Sequence, residues 1–201
     1  MSDKKNLLEQ LEREGHSADI INAFAMVDRA RFVPGPYQDE VYRNEALPVG
    51  YGQTISQPST IAFMLDKLEV RNGQKILEVG SGSGYVLALL HYLAPEAEIY
   101  GAERVEELVH DSRYNLGEQP HTHIYHTPSG LGLPDKAPFD RILVSAAAQQ
   151  NLPRQLVEQL KKEGVIVCPV AHSIIKAKKH SEDELSSENY PGFAFVPLIE
   201  N

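Results

Sequence analysis

Ile76-Leu-Glu-Val-Gly-Ser-Gly-Ser-Gly-Tyr85 is the stretch of this chain whose residue types and spacing could do chemistry. A short apolar run ends in glycines at alternate positions, Gly80, Gly82 and Gly84. Tyr85-Val-Leu-Ala-Leu-Leu-His-Tyr-Leu93 then has the length and composition of a helix. Strand, turn and helix together make a cradle. Glycines let the backbone turn sharply and approach a ligand closely, and a helix start offers free N–H groups. The spacing is G-x-G-x-G, not the G-x-G-x-x-G of dinucleotide enzymes, and no Lys-Ser/Thr pair follows as a phosphate loop requires. With no pyrophosphate to hold, the pattern suits a nucleoside ligand such as S-adenosylmethionine, with Gly80, Ser81, Gly82, Ser83 and Gly84 as candidate contacts. A glycine turn without a ligand is the alternative. Ala97-Glu-Ile-Tyr-Gly-Ala-Glu103 tips the balance: it reads as a second strand ending in an acid. Glu103 stands about 20 residues past the turn, where Rossmann-like folds place the carboxylate that accepts hydrogen bonds from a ribose diol. Alone, Glu103 would read as a solvated strand-end acid; beside the glycine turn, the ribose reading is preferred.

Other reactive side chains point nowhere so definite. His121, His123 and His126 form an H-x-H-x-x-H group, but no carboxylate or thiol with ligand spacing accompanies them, so an exposed strand and loop are expected rather than a metal site. The single cysteine, Cys168, lies in the apolar run Val165–Val170 and reads as an inert buried thiol.

The elements that must position the cradle follow from periodicity. Alternating strand-like and helix-like segments from about residue 70 onward predict an α/β, doubly wound, mostly parallel Rossmann-like sheet. Ahead of it, Leu7 to Val33 reads as helical, with Ser17 capping a second helix that carries Ile20, Ile21, Phe24 and Val27. Ser59 to Leu68 has another helical stripe, with Pro58 near its start. Phe139–Ser145 and Val165–Val170 read as later strands, and Pro153–Lys162 between them as a helix stopped by Gly164. Ser173–Lys179 and Phe193–Leu198 are expected as a C-terminal antiparallel hairpin. The chain of 201 residues reads as one domain, residues 1–69 being a helical N-terminal extension with a substrate-side loop and 70–201 the cofactor-binding core. A formal charge of −9, from 19 basic against 28 acidic residues, repels phosphate backbones, so no nucleic-acid partner is expected. No secretory segment and no apolar run of transmembrane length are visible. A cytoplasmic monomer with no membrane association is expected.

At this point the residues carry a resemblance. Arg31-Phe-Val-Pro34, Gly52-Gln-Thr-Ile-Ser-Gln-Pro58, Leu77–Tyr85, Ala137-Pro-Phe-Asp-Arg-Ile-Leu-Val-Ser-Ala-Ala147 and Phe195-Val-Pro-Leu198 resemble the motifs of protein-L-isoaspartate (D-aspartate) O-methyltransferases over nearly the whole chain. The glycine loop is common to many methyltransferases. The Thr-Ile-Ser-x-Pro segment together with the terminal Val-Pro-Leu is far more specific. The resemblance implies a class I methyltransferase fold and S-adenosyl-L-methionine as methyl donor. The acceptor it implies is the α-carboxylate of L-isoaspartyl residues in damaged proteins and peptides, whose ester then closes to a succinimide that can reopen to aspartate.

A carboxylate is already ionised near neutral pH, so no general base is needed and the lack of an obvious catalytic histidine is expected. By resemblance, Ser56 donates a hydrogen bond to the acceptor carboxylate, Thr54 and Ile55 shape its loop, and Val196 and Leu198 line the substrate side. Read without the family, Ser56 would be a helix-capping serine. The chain departs from the family at Pro128-Ser129, where an Asp-Gly pair usually meets the adenine amino group; Ser129 is left as the candidate contact. Ala171 stands where glycine is common, and Asn44 where aspartate is usual. Two rival readings follow: a divergent class I methyltransferase with another substrate, or a catalytically weak cofactor-binding homologue.

Overall fold

The computed structural model describes residues 2–182 and 184–200. Helices α1 (Ser2–Arg13) and α2 (Ala18–Met26) open the chain. Ser17 caps α2 as expected, its extended backbone leaving Oγ to accept from the Ile20 N–H at 3.4 Å. Two short 3₁₀ turns follow, and then an antiparallel ribbon of β1 (Leu47–Gly50) and β2 (Gln53–Ile55), which sequence periodicity does not reveal. Helix α3 (Pro58–Leu68) begins with proline in its first turn, where a missing N–H costs no hydrogen bond. Beyond it the chain alternates: β3 (Lys75–Val79), α4 (Tyr85–Leu93), β4 (Glu98–Glu103), α5 (Glu106–Leu116), β5 (Thr122–His126), β6 (Phe139–Val144), α6 (Arg154–Glu158), β7 (Leu160–Val170), β8 (Ser173–Lys179) and β9 (Leu185–Pro191).

These strands form a seven-stranded sheet in the order β5-β4-β3-β6-β7-β8-β9. The pairs from β5 to β7 are parallel; β7–β8 and β8–β9 are antiparallel. From β3 the chain winds outward to β5 and then returns to place β6 on the other side of β3. That reversal opens a crevice at the carboxyl ends of β3 and β6, the usual ligand position in such sheets. The central strands β3, β6 and β7 are buried on both faces, as parallel strands require. Ile76, Ile99, Leu143 and Val167 pack with α1 to α4 on one side, while Leu77, Ile142, Ile166 and Cys168 pack on the other. Cys168 is wholly buried, and burial pushes its thiol pKa up.

Two expected elements differ. The helix read as Pro153–Lys162 stops at Glu158, because Leu160 already pairs with Phe139 and the Lys161 ammonium bonds the Asp140 carboxylate at 2.8 and 2.9 Å. Gly164 lies inside β7 instead of ending a helix. A Cβ there would come 2.8 Å from the Lys161 carbonyl oxygen. In the C-terminal hairpin the partner of β8 is the polar segment Leu185–Pro191, not Phe193–Leu198. An edge strand facing water can be polar on both sides. Gly192, at φ +101°, turns the chain out of the sheet, and the apolar tail crosses the strand ends. There the Ala147 N–H donates to the Val196 carbonyl and the Leu198 N–H to the Ala147 carbonyl, both at 2.8 Å.

Candidate active site

The glycine turn closes the crevice from below. Gly80, Gly82 and Gly84 all have positive φ, at 81°, 52° and 90°. The Gly80 N–H donates to the Ala102 carbonyl at 2.8 Å, which ties the turn to the end of β4. A Cβ at Gly82 would meet no protein atom within 4 Å, so that position faces open cavity. Gly84 does not line the cavity. It starts α4 in the left-handed region, and a Cβ there would crowd Ser112 at 3.1 Å and Leu116 at 3.3 Å on α5. Gly101 on β4 is small for a related reason: a Cβ would lie 2.7 Å from Leu87 and 3.1 Å from the Ser81 hydroxyl.

Glu103 occupies the end of β4 and is buried. One carboxylate oxygen accepts from the Gly82 N–H at 2.8 Å and the other from the Val105 N–H at 2.9 Å. The acid therefore braces the glycine turn, a role not legible from spacing, while still lining the cavity. Each carboxylate oxygen keeps further acceptor capacity.

Glu78, which sequence reasoning passed over, lies one residue before the end of β3 and is 1% exposed. One of its oxygens accepts from the Ser145 hydroxyl at 2.8 Å; the other is buried with no partner among the described residues. Burial pushes its pKa up to about 8, the Ser145 bond working against that and the charge of Glu103 adding to it. The signal was present in the sequence as an acid inside the apolar run Ile76–Val79. The Ser81 hydroxyl is likewise buried without a partner among the described residues. Two unsatisfied buried polar atoms beside an open glycine turn are what a polar ligand with its own donors would complete.

Glu78, Ser81, Gly82 and Glu103 line a cavity of about 270 Å³ together with Gly80, Ser83, Ser129 and Leu198. A second cavity of about 770 Å³ adjoins it, walled by α3 and the tail around Phe193–Val196. Thr54, Ser56, Ser145 and Val196 line both. Ile55 and Leu198 belong to the smaller cavity alone. Every site residue expected from sequence except Gly84 thus meets around one crevice. Ser56 is not the cap of α3. Gln57 is the N-cap residue, and Asn44 serves the helix start instead, its Oδ1 accepting from the Ser59 N–H at 2.9 Å. Pro128, Ser129 and Gly130 form an exposed rim of the smaller cavity.

The histidines lie elsewhere. His121, just before β5, and His123 on β5 flank Glu98 at the start of β4, at 2.7 and 3.2 Å, all about half exposed. Among the described residues no group of three or more side chains is arranged to hold a metal ion, and no helix is long and apolar enough to cross a membrane.

Known proteins fit this geometry. The model of the protein-L-isoaspartate(D-aspartate) O-methyltransferase family matches residues 2–201. The protein-L-isoaspartate O-methyltransferase of Dictyoglomus thermophilum is 40% identical over 202 residues, covering 97% of this chain and 90% of that protein. That of Methanococcoides burtonii is 38% identical over 199 residues, covering 96% and 98%. Among solved structures, a Plasmodium falciparum protein assigned to the same enzymes and bound to S-adenosyl-L-homocysteine superposes with a TM-score of 0.86 at 26% identity, over 98% of both chains. A precorrin-6y C5,15-methyltransferase from Geobacter metallireducens shares the fold at a TM-score of 0.52 over 71% of this chain. The chain belongs to the protein-L-isoaspartate (D-aspartate) O-methyltransferase family.

Proposed function

We propose that this chain methylates the α-carboxylate of L-isoaspartyl residues in damaged proteins and peptides, acting as a cytoplasmic monomer without nucleic-acid or membrane partners. The observation that carries the reading is the meeting of two cavities at Ser56: a nucleoside-sized cradle on one side and a larger crevice on the other. S-adenosylmethionine, when bound in the cradle, supplies an electrophilic methyl group carried on sulfur. Glu103 and the Gly82 turn suit a ribose, Ser129 the adenine end, and the free oxygen of Glu78 and the Ser81 hydroxyl the polar amino-acid end. On the acceptor side, the Ser56 hydroxyl donates to the incoming carboxylate and fixes one oxygen at the junction. Thr54 and Ile55 hold that loop in shape, while Val196 and Leu198 exclude water from the line of attack. No base is required because the acceptor is already an anion. Catalysis then rests on alignment and on hydrogen bonds set in advance, which can lower a barrier by several kcal/mol. The test is transfer of labelled methyl to an isoaspartyl peptide, run beside its normal aspartyl twin. A divergent enzyme with another acceptor, or a catalytically weak cofactor binder, would label neither.

A further inference from the structure

Arg29 is 1% exposed, and no acid pairs with it among the described residues. Its guanidinium instead donates three hydrogen bonds to backbone carbonyls: Nε to Val41 at 3.0 Å, Nη1 to Ser56 at 3.0 Å and Nη2 to Glu45 at 3.3 Å. The same group lies over the Tyr85 ring, 5.3 Å from its centroid. Tyr85 is the first residue of α4 and lines the cofactor-side cavity. One cation therefore touches both halves of the site, the loop that carries Ser56 and the residue that follows the glycine turn.

Burying a guanidinium costs free energy that three carbonyls and one ring face recover only in part, since neutral acceptors stabilise it less than a carboxylate would. An apolar side chain of similar volume would fill the space without that cost. A flat, five-donor fork does something an apolar side chain cannot: it fixes three carbonyls of residues 41–56 relative to one another and to Tyr85. Ser56 lines both cavities, so holding its carbonyl fixes the backbone from which its hydroxyl projects. We propose that Arg29 is a positioning residue for methyl transfer, clamping the Ser56 loop against the cofactor-side wall. The inference rests on the role of Ser56 given above.

The test is a double-mutant cycle on the full chain, with turnover on an isoaspartyl peptide and S-adenosyl-L-homocysteine affinity by calorimetry as separate readouts. Arg29→Lys keeps the charge but cannot reach three carbonyls at once, and a misplacement of about 1 Å can cost ~100-fold in rate. The expected result is a ~10–100-fold fall in kcat with product affinity unchanged, and no further fall when the substitution is added to Ser56→Ala. Arg29→Gln, a neutral donor, stands in if the lysine variant does not fold. Partial recovery of kcat when guanidinium is added to Arg29→Ala would support the same conclusion. A fall of equal size in the Ser56→Ala background, or a loss of product affinity matching the loss of kcat, would overturn it. Full turnover in Ser56→Ala alone would overturn the role of Ser56 and this inference together. A damaged Ser56→Ala beside an undamaged Arg29→Lys overturns only the inference.

Discussion

A Cβ built on Gly82 meets no protein atom within 4 Å, whereas one on Gly84 would stand 3.1 Å from Ser112 and 3.3 Å from Leu116. Two glycines of one motif therefore differ in setting, the first beside open cavity and the second against a packed helix. Gly82→Ala should keep most of the stability, losing ~1–2 kcal/mol to left-handed strain, while S-adenosyl-L-homocysteine affinity falls at least tenfold. Gly84→Ala should instead destabilise by ~1–3 kcal/mol or more through overpacking. Calorimetry and thermal unfolding on the pair would separate the two roles, and equal affinity in Gly82→Ala would remove the turn from the binding site. The Glu78 pKa is raised from 4.5 to about 8, so the protonated acid is the form that the fold favours. Whatever stability this contributes is complete below pH 4.5 and is lost as pH rises through about 8. In unfolding experiments without ligand, the parent should lose stability relative to Glu78→Gln across that window. A difference that stays flat with pH would contradict the assignment.

Elements were legible where their own side chains carried the pattern. The cap at Ser17, the proline start of α3 and the strand before the glycine turn all came from local chemistry. The β1–β2 ribbon was hidden because strands of three or four residues give periodicity too little length. Strand β9 was hidden because, as an exposed edge, it can be polar on both faces and reads as a loop. The apolar tail Phe193–Leu198 read as its replacement, since burial in a cavity wall and burial in a sheet leave the same mark on sequence. Arg29 was invisible for a deeper reason: its partners are carbonyls, which every residue possesses. The β7–β8 turn yields a prediction of its own. Ala171 sits there at φ +52°, exposed, with its N–H bonded to the Ala148 carbonyl at 2.8 Å. Left-handed strain of ~1–2 kcal/mol outweighs the ~0.5–1 kcal/mol entropic cost of glycine. Ala171→Gly should therefore stabilise the chain by up to ~1 kcal/mol, raising Tm by ~1–4 °C. A lower Tm would mean that the turn carries no such strain.

At the scale of the molecule, the switch point between β3 and β6 explains why residues from distant parts of the sequence converge. Ser56 arrives from the N-terminal ribbon, Glu78 and Glu103 from neighbouring strand ends, and Val196 from a tail that leaves the sheet to cross the same crevice. The glycine motif and Glu103 could be placed from sequence because strand–turn–helix is local. The meeting of Ser56 and Val196 could be read only through resemblance, since nothing in their spacing reveals it. Pro128 and Ser129, where the resemblance leads one to expect an Asp-Gly pair, form part of the exposed rim of the smaller cavity. The most direct measurement is transfer of labelled methyl from S-adenosylmethionine to an isoaspartyl peptide, compared with the same peptide carrying normal aspartate. The expected result is incorporation into the isoaspartyl form alone, as a base-labile ester. Equal labelling of both peptides, or of neither while S-adenosyl-L-homocysteine still binds, would contradict it.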